Sequence, residues 1–302
     1  MNYAVIDLGS NSVRLSVYEY TDGNPPVKVF SRKEIAGLAG YVSEGRLEEE
    51  GILKACDVLN AFRKTADDYA GITNLHVFAT ASLRNIENRG EAVRRITEAA
   101  GIVPDVLDGD EEAVLCFAGV SRFTDCENGI MIDIGGASTE FVLFKDYKPE
   151  KMISLPIGCL NLSLDYISEI MPDAYEMKQI KAVIKEQISK IDWGKNTQCP
   201  LMVGAGGTLR AALKLSRAIF SLAPEETSID AGCIKEINKM LKQHKYNIYR
   251  TLYKNTPERL LTVPAGLAIL QQAIKTFGCS TITVSRYGLR EGYLTDRVLK
   301  IN

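Results

Sequence analysis

Ile6-Asp7-Leu8-Gly9-Ser10-Asn11-Ser12-Val13-Arg14-Leu15-Ser16-Val17-Tyr18 returns 126 positions later as Ile132-Asp133-Ile134-Gly135-Gly136-Ala137-Ser138-Thr139-Glu140-Phe141-Val142-Leu143-Phe144. Each copy runs apolar, then Asp-x-Gly, then small polar residues, then apolar again. Residues 2–8 read as a buried strand. Residues 12–20 alternate, with Val13, Leu15 and Val17 on one side and Ser12, Arg14 and Ser16 on the other. A second strand therefore follows the turn directly. A P-loop or dinucleotide-binding glycine turn leads instead into a helix.

The sequence around each hairpin repeats as well. A third strand is expected over 27–34, a helix over 47–69 and a buried strand over 76–80. A helix over 88–100 is stopped by Gly101, a strand covers 102–107, and Asp108-Gly109-Asp110-Glu111-Glu112 opens a further helix. Near residue 125 the order restarts, with strands over 129–133, 138–145 and 150–155. Helices are expected over 158–169 and 173–190, and a strand over 201–203 runs into Gly204-Ala205-Gly206-Gly207-Thr208 and a helix. Mostly helical sequence continues to 277, followed by a strand over 281–284 and a final helix over 288–300. The duplication predicts two related α/β domains, 1–124 and 125–302, with a cleft between them and the last helix packing back on the first domain.

At 302 residues the chain has room for two cores. Its net charge of −2 excludes a generally basic protein that coats nucleic acid. A bound polyanion must be held locally, by a few cationic side chains and backbone amides. No apolar run approaches a membrane span, and Met1-Asn2-Tyr3-Ala4-Val5 lacks the basic segment of a signal peptide. A cytoplasmic protein without membrane or nucleic-acid partners is expected. The seven cysteines are odd in number and form no Cys-x-x-Cys pair, which argues against a disulfide framework or zinc site. With only His76 and His244 present, chemistry must rest on carboxylates, backbone amides and arginine.

Glycine lets backbone approach an oxyanion closely, and successive N–H groups in such a turn form a nest for phosphate. Gly9, Ser10, Asn11 and Ser12 supply one nest; Gly135, Gly136, Ala137 and Ser138 supply the other. Asp7 and Asp133, at strand ends, are placed to hold Mg²⁺, which takes oxygen ligands and keeps several waters. One such turn alone merely closes a hairpin; two matched copies point to a chain of phosphates. Gly206, Gly207 and Thr208 precede a helix and form a candidate anion site at its N-terminus, although an ordinary βα turn has the same composition. Asp110, Glu111 and Glu112 by themselves read as complements to a helix dipole.

The chain resembles the short form of the exopolyphosphatase / guanosine pentaphosphate phosphohydrolase (Ppx/GppA) family, within the actin–Hsp70–sugar kinase superfamily. The resemblance rests on the two hairpins, on Ala79-Thr80-Ala81-Ser82-Leu83-Arg84-Asn85 and on Asp108-Gly109-Asp110-Glu111-Glu112-Ala113. Gly206-Gly207-Thr208, Pro264-Ala265-Gly266 and Gly288-Leu289-Arg290-Glu291-Gly292 extend it, in family order, over nearly the whole chain. It implies two duplicated ribonuclease H-like domains of mixed sheets flanked by helices. It also implies a hydrolase that releases terminal phosphate from inorganic polyphosphate, with Glu112 as the base for water and Arg84 as a phosphate clamp. Glu140 joins Asp7 and Asp133 on the metal side, or else pairs with Arg14. Guanosine pentaphosphate is the alternative substrate. A phosphate- or nucleotide-sensing module with weak turnover is the alternative outside enzymology, and a homodimer is left open.

Two departures bear on grip. Ala36-Gly37-Leu38-Ala39 and Asn161 stand where family members commonly carry arginine, which implies weaker hold on a long polyanion. The basic stretch from Lys235 to Lys254, including His244 and Lys245, reads first as a solvated helical face.

Overall fold

The computed structural model describes residues 1–68, 72–243 and 246–301. The chain divides into two compact units, Met1–Glu112 with Arg290–Asn302, and Ala113–Leu289.

In the first unit, β1 (Asn2–Leu8), β2 (Ser12–Glu19) and β3 (Val27–Ile35) form an antiparallel meander. The two-residue strands β4 (Val42–Ser43) and β5 (Arg46–Leu47) make a small hairpin that the sequence reading did not anticipate. Its signal is Glu44-Gly45, both at positive φ, the requirement of a tight hairpin turn. Helix α1 (Glu49–Asp68) follows, starting two residues later than expected because Leu47 is held in β5; Tyr69, the expected last residue, lies outside the described residues. Next come β6 (Ile72–Ala79), α2 (Ala81–Arg84), α3 (Arg89–Ala100), β7 (Asp105–Val106) and α4 (Gly109–Ser121). Gly101 ends α3 in the left-handed region, φ 66°, as glycine at that cap favours. Of the strand expected over 102–107, only the two residues that pair with Phe78 and Ala79 form. Ile52, Ala55, Leu59, Phe62 and Ala66 recur at helical spacing and bury one face of α1 in the core of this unit.

The second unit repeats the plan. Its meander is β8 (Gly129–Ile134), β9 (Thr139–Lys145) and β10 (Lys148–Leu155). Then follow α5 (Cys159–Tyr166), α6 (Ala174–Ile188), β11 (Leu201–Ala205) and α7 (Gly206–Phe220). The region read as mostly helical contains β12 (Ser228–Asp230), then α8 (Ala231–Lys242), α9 (Tyr246–Asn255) and α10 (Val263–Phe277). Three residues are too few for a period to be legible; β12 exists because Thr281–Thr283 of β13 (Thr281–Val284) pairs with it. The chain then passes α11 (Leu289–Gly292) and a π-helical stretch, Tyr293–Val298, where a single final helix was expected.

The sheets run β3-β2-β1-β6-β7 and β10-β9-β8-β11-β13-β12. In both, the first strand of the meander pairs in parallel with the strand that follows the helices. Two duplicated ribonuclease H-like units with mixed sheets flanked by helices are therefore observed. The repeat holds at the level of register: Asp7 opposes Arg14 in one sheet and Asp133 opposes Glu140 in the other. All seven cysteines are free thiols, and burial pushes Cys279 up to about 12. No described helix is long and apolar enough to cross a membrane.

Candidate active site

In the first unit the β1–β2 turn is closed tightly. A Cβ on Gly9 would meet the Ser12 carbonyl oxygen at 3.0 Å. The turn carbonyls are tied backwards: Ala39 N–H donates to Ser10 O at 3.0 Å and Gly37 N–H to Asn11 O at 2.9 Å. So Ala36-Gly37-Leu38-Ala39 braces the turn through its backbone. No described acceptor takes the N–H of Ser10 or Asn11. A turn with its carbonyls engaged and its amides available is polarised to meet an anion.

Side chains from distant parts of the chain are paired within this unit. Ser82 Oγ, on α2, donates to Leu8 O and anchors the end of β1. Arg84, the last residue of α2, donates from Nη1 to Glu112 Oε2 at 2.7 Å and to Leu107 O at 3.1 Å. Glu112 is 8% exposed. Its neighbour Glu111 caps α4 with Asp108: Glu111 N–H donates to Asp108 Oδ1 at 2.7 Å, and Asp108 N–H to Glu111 Oε2 at 3.0 Å. That exchange is a capping box. Helix-end duty thus falls to Asp108 and Glu111, and Glu112 is turned to the arginine. Arg297 also pairs with Glu111.

Arg290, which sequence reading gave no role, donates from Nη1 to Asp7 Oδ2 at 3.4 Å. Burial alone would lower its pKa; Asp7, Glu291 and Tyr18 together more than offset this and raise it. Its Nε finds no partner among the described residues. Glu291 accepts from Tyr18 Oη at 2.8 Å and from Lys28 Nζ at 3.4 Å, and burial followed by Glu291 pushes the Tyr18 phenol up.

The second unit contains the matching turn. A Cβ on Gly135 would meet Ser138 O at 3.1 Å, the same closeness at the equivalent pair. The N-terminal amides of α5 secure its carbonyls: Cys159 N–H donates to Gly135 O at 2.9 Å, and Leu160 and Asn161 N–H donate to Gly136 O at 2.8 and 3.0 Å. Asn161 accepts from Gly158 N–H at 2.8 Å through Oδ1, which ties its side chain to the start of α5. Gly136 and Ala137 have no described acceptor for their amides. Ser138 and Thr139 are buried, and Thr139 Oγ1 donates to Ile157 O at 2.6 Å.

Asp133 accepts from Cys116 Sγ at 3.3 Å. It lies against Gly206, where a Cβ would come within 2.1 Å of Asp133 Oδ1, and Gly206 has φ +80°. Glycine is required there twice over, by dihedral and by space. Glu140 is 1% exposed and accepts from Ser154 Oγ at 2.8 Å. Thr208 Oγ1 donates to Ile134 O at 3.2 Å, joining α7 to β8. Arg259 was missed by sequence reading: a Cβ on Gly207 would lie 1.8 Å from its Nη2. A guanidinium therefore packs on the glycine turn of this unit. Only the absence of a side chain at Gly207 permits it, a signal invisible without the fold. Of the basic stretch, Lys235, Lys239 and Lys242 lie on α8, and Arg250 and Lys254 lie on α9. His244 and Lys245 lie outside the described residues.

No group of three or more His, Cys, Asp or Glu side chains able to enclose a metal occurs among the described residues. Asp7 and Asp133 are each partly exposed at a strand end beside a glycine turn. That suits a cation held by one or two carboxylates together with substrate phosphate, the mode magnesium favours.

A family model described as "Ppx/GppA phosphatase family" matches residues 16–301. A protein of Vibrio cholerae named guanosine-5'-triphosphate,3'-diphosphate pyrophosphatase is 27% identical over 306 aligned residues. That alignment takes in 98% of this chain and 59% of the relative. The chain thus spans about three-fifths of the length of such curated relatives. The crystal structure of an Aquifex aeolicus member of the Ppx/GppA protein family superposes with a TM-score of 0.80 at 28% identity, covering 100% of this chain and 99% of that one. An exopolyphosphatase from Cytophaga hutchinsonii shares the fold, with a TM-score of 0.87 at 23% identity and coverage of 100% and 99%.

Proposed function

Because the chain belongs to the Ppx/GppA phosphatase family, we propose that it is a magnesium-dependent phosphoanhydride hydrolase releasing terminal phosphate from inorganic polyphosphate. The observation that carries this reading is the Arg84–Glu112 pair: a buried carboxylate fixed by a guanidinium at 2.7 Å in the unit that holds the first amide nest. Phosphoryl transfer asks the protein for positioning and charge neutralisation rather than covalent chemistry. Each unit offers its own amides to phosphate oxygens, Ser10 and Asn11 in the first and Gly136 and Ala137 in the second. Arg84 and Arg259 neutralise charge. Glu112 orients the attacking water and takes its proton.

Asp7 in the first unit and Asp133 in the second are each a carboxylate that would hold magnesium, with Glu140 anchored behind Asp133 on the adjacent strand. The bound cation would offset phosphate charge. Arg290 keeps the Asp7 carboxylate in place, and Cys116 does the same for Asp133. A second reading, removal of the terminal phosphate of guanosine pentaphosphate, is favoured by the names of the relatives, such as that of Vibrio cholerae.

The test is a panel of short and long polyphosphates, guanosine pentaphosphate and ATP, scored for free phosphate with magnesium and with EDTA. Release from polyphosphate that EDTA abolishes supports the reading. Faster turnover of guanosine pentaphosphate moves the assignment to the second one. Tight binding without release from any member would identify a sensing module.

Arg84→Lys keeps the charge but replaces the planar guanidinium, whose Nη1 alone reaches both Glu112 and Leu107, by a compact ammonium on a more flexible stem. A fall in kcat of about tenfold is expected, with little change in thermal stability, since the two cations are not interchangeable at such a site. Steady-state phosphate release checks it.

A further inference from the structure

A cavity of about 360 Å³ opens in the second unit between α6, α8, α9 and α10. None of the residues discussed above as phosphate or metal groups lines it. Met177, Leu241, Tyr249 and Pro264 give it apolar walls, and three lysines, Lys178, Lys181 and Lys242, stand on its lining. We propose that this cavity binds a small organic anion with an apolar body. Its acidic head is held by Lys178, Lys181 and Lys242, and a hydroxyl or N–H donor on it is accepted by Asn238.

The lysines carry the argument first. Lys178 and Lys181 are three residues apart on α6 and share a face. Neither they nor Lys242 form an ion pair among the described residues, whereas Lys239, one turn before Lys242, pairs with Glu236 at 3.4 Å. Burial, followed by the charge of Lys242, holds the Lys181 pKa below the ordinary lysine value. Two ammonium groups that repel each other beside an apolar hollow are relieved by an anion. The dipole of α8 accounts for Lys242 at its C-terminal end. It does not account for Lys178 and Lys181, which sit at or before the middle of α6. The one acid on the lining, Asp173, is engaged as a helix cap, accepting from Glu176 N–H at 2.8 Å.

Asn238 fixes the second polar feature. It is 8% exposed, and its Nδ2 donates to Ile234 O at 3.0 Å and Leu267 O at 3.2 Å. Both amide protons are used, so what Asn238 offers the cavity is the acceptor Oδ1. Apolar walls with a few convergent polar groups, in a volume near the lower end of ordinary ligand sites (~300–1,000 Å³), describe a pocket for one compact molecule. Inorganic polyphosphate would leave the apolar walls unused.

Anilinonaphthalene sulfonate has the required parts: an aromatic body, one sulfonate and one N–H. Fluorescence titration of the intact chain should show saturable binding at a single site. The variant Lys181→Ala/Lys242→Ala should weaken it by about tenfold, the sum expected for two exposed charge contacts. Uncharged phenylnaphthylamine should bind wild type more weakly than the sulfonate and be indifferent to the double variant. Phosphate release should be unchanged in that variant, which separates this site from the phosphohydrolase reading. Lys178 and Lys242 are exposed and Lys181 is only partly covered, so the fold should be retained; if the melting temperature falls, Lys178→Gln with Lys242→Gln replaces the pair. Non-saturable fluorescence, or equal affinity in wild type and variant, overturns the proposal.

Discussion

Glu112→Gln should lower the rate of phosphate release by about a thousandfold, within the range of roughly 10²–10⁴ attributable to a positioned general base. The substitution is isosteric, and the amide oxygen can still accept from Arg84. What it removes is the ability to take a proton from water. A thousandfold loss corresponds to about 4 kcal/mol of transition-state stabilisation. That is large for one group, and the geometry explains why so much rests on it. Glu112 is 8% exposed and held at 2.7 Å by a guanidinium that is itself anchored on Leu107 O. The adjacent Glu111 has both its carboxylate oxygens engaged, by Arg297 and by the Asp108 amide, and cannot take over. Phosphate release should therefore collapse in kcat with substrate affinity little changed, and the melting temperature should stay within a few degrees. Turnover within fivefold of wild type would remove Glu112 from the chemistry.

Gly158→Ala should disable the second turn from behind. A Cβ at residue 158 would lie 2.3 Å from Gly136 C and 2.4 Å from both Ala137 N and Gly136 O. All three are backbone atoms, so no side chain can swing aside. The residue has φ −139°, an extended conformation open to alanine, so the effect is contact alone. Moving the turn strains its ties to Cys159, Leu160 and Asn161. Overpacking of this kind costs about 1–3 kcal/mol, occasionally more. It also displaces the amides of Gly136 and Ala137 from the positions the phosphate reading needs. We expect a lower urea midpoint together with at least tenfold weaker binding of polyphosphate by calorimetry. Gly90→Ala is the control. Nothing lies within 4 Å of its Cβ position, and it sits in α3. Alanine there should raise stability by roughly 0.5–1 kcal/mol. Equal behaviour of the two variants would show that close backbone approach at Gly158 is unimportant.

Much of this architecture was legible because it is written in short periods. Alternation announced β2, and the 126-residue repeat carried the same strand-turn-strand plan to β9 and matched Asp7 with Asp133 and Gly9 with Gly135 before any fold was known. The glycine after α3 gave that helix its end. The errors fell on elements without a period of their own. The strands β4, β5, β7 and β12 are two or three residues long and exist only through the partners that pair with them. The expected last helix breaks into α11 and a π-helical stretch.

At the candidate site the same division holds. The residue types and the turns that carry them came from the chain itself, because a hairpin's amides and its aspartate are covalent neighbours. Tertiary structure alone decided which of three consecutive acids meets Arg84, across 28 residues, and that Arg290 reaches Asp7 from 283 residues away. It alone put the Arg259 guanidinium on Gly207 and the backbone of Gly136 against Gly158. Local patterns record which face of an element is buried. The pairing of distant side chains depends on how whole elements close upon one another, and no neighbouring residue encodes that.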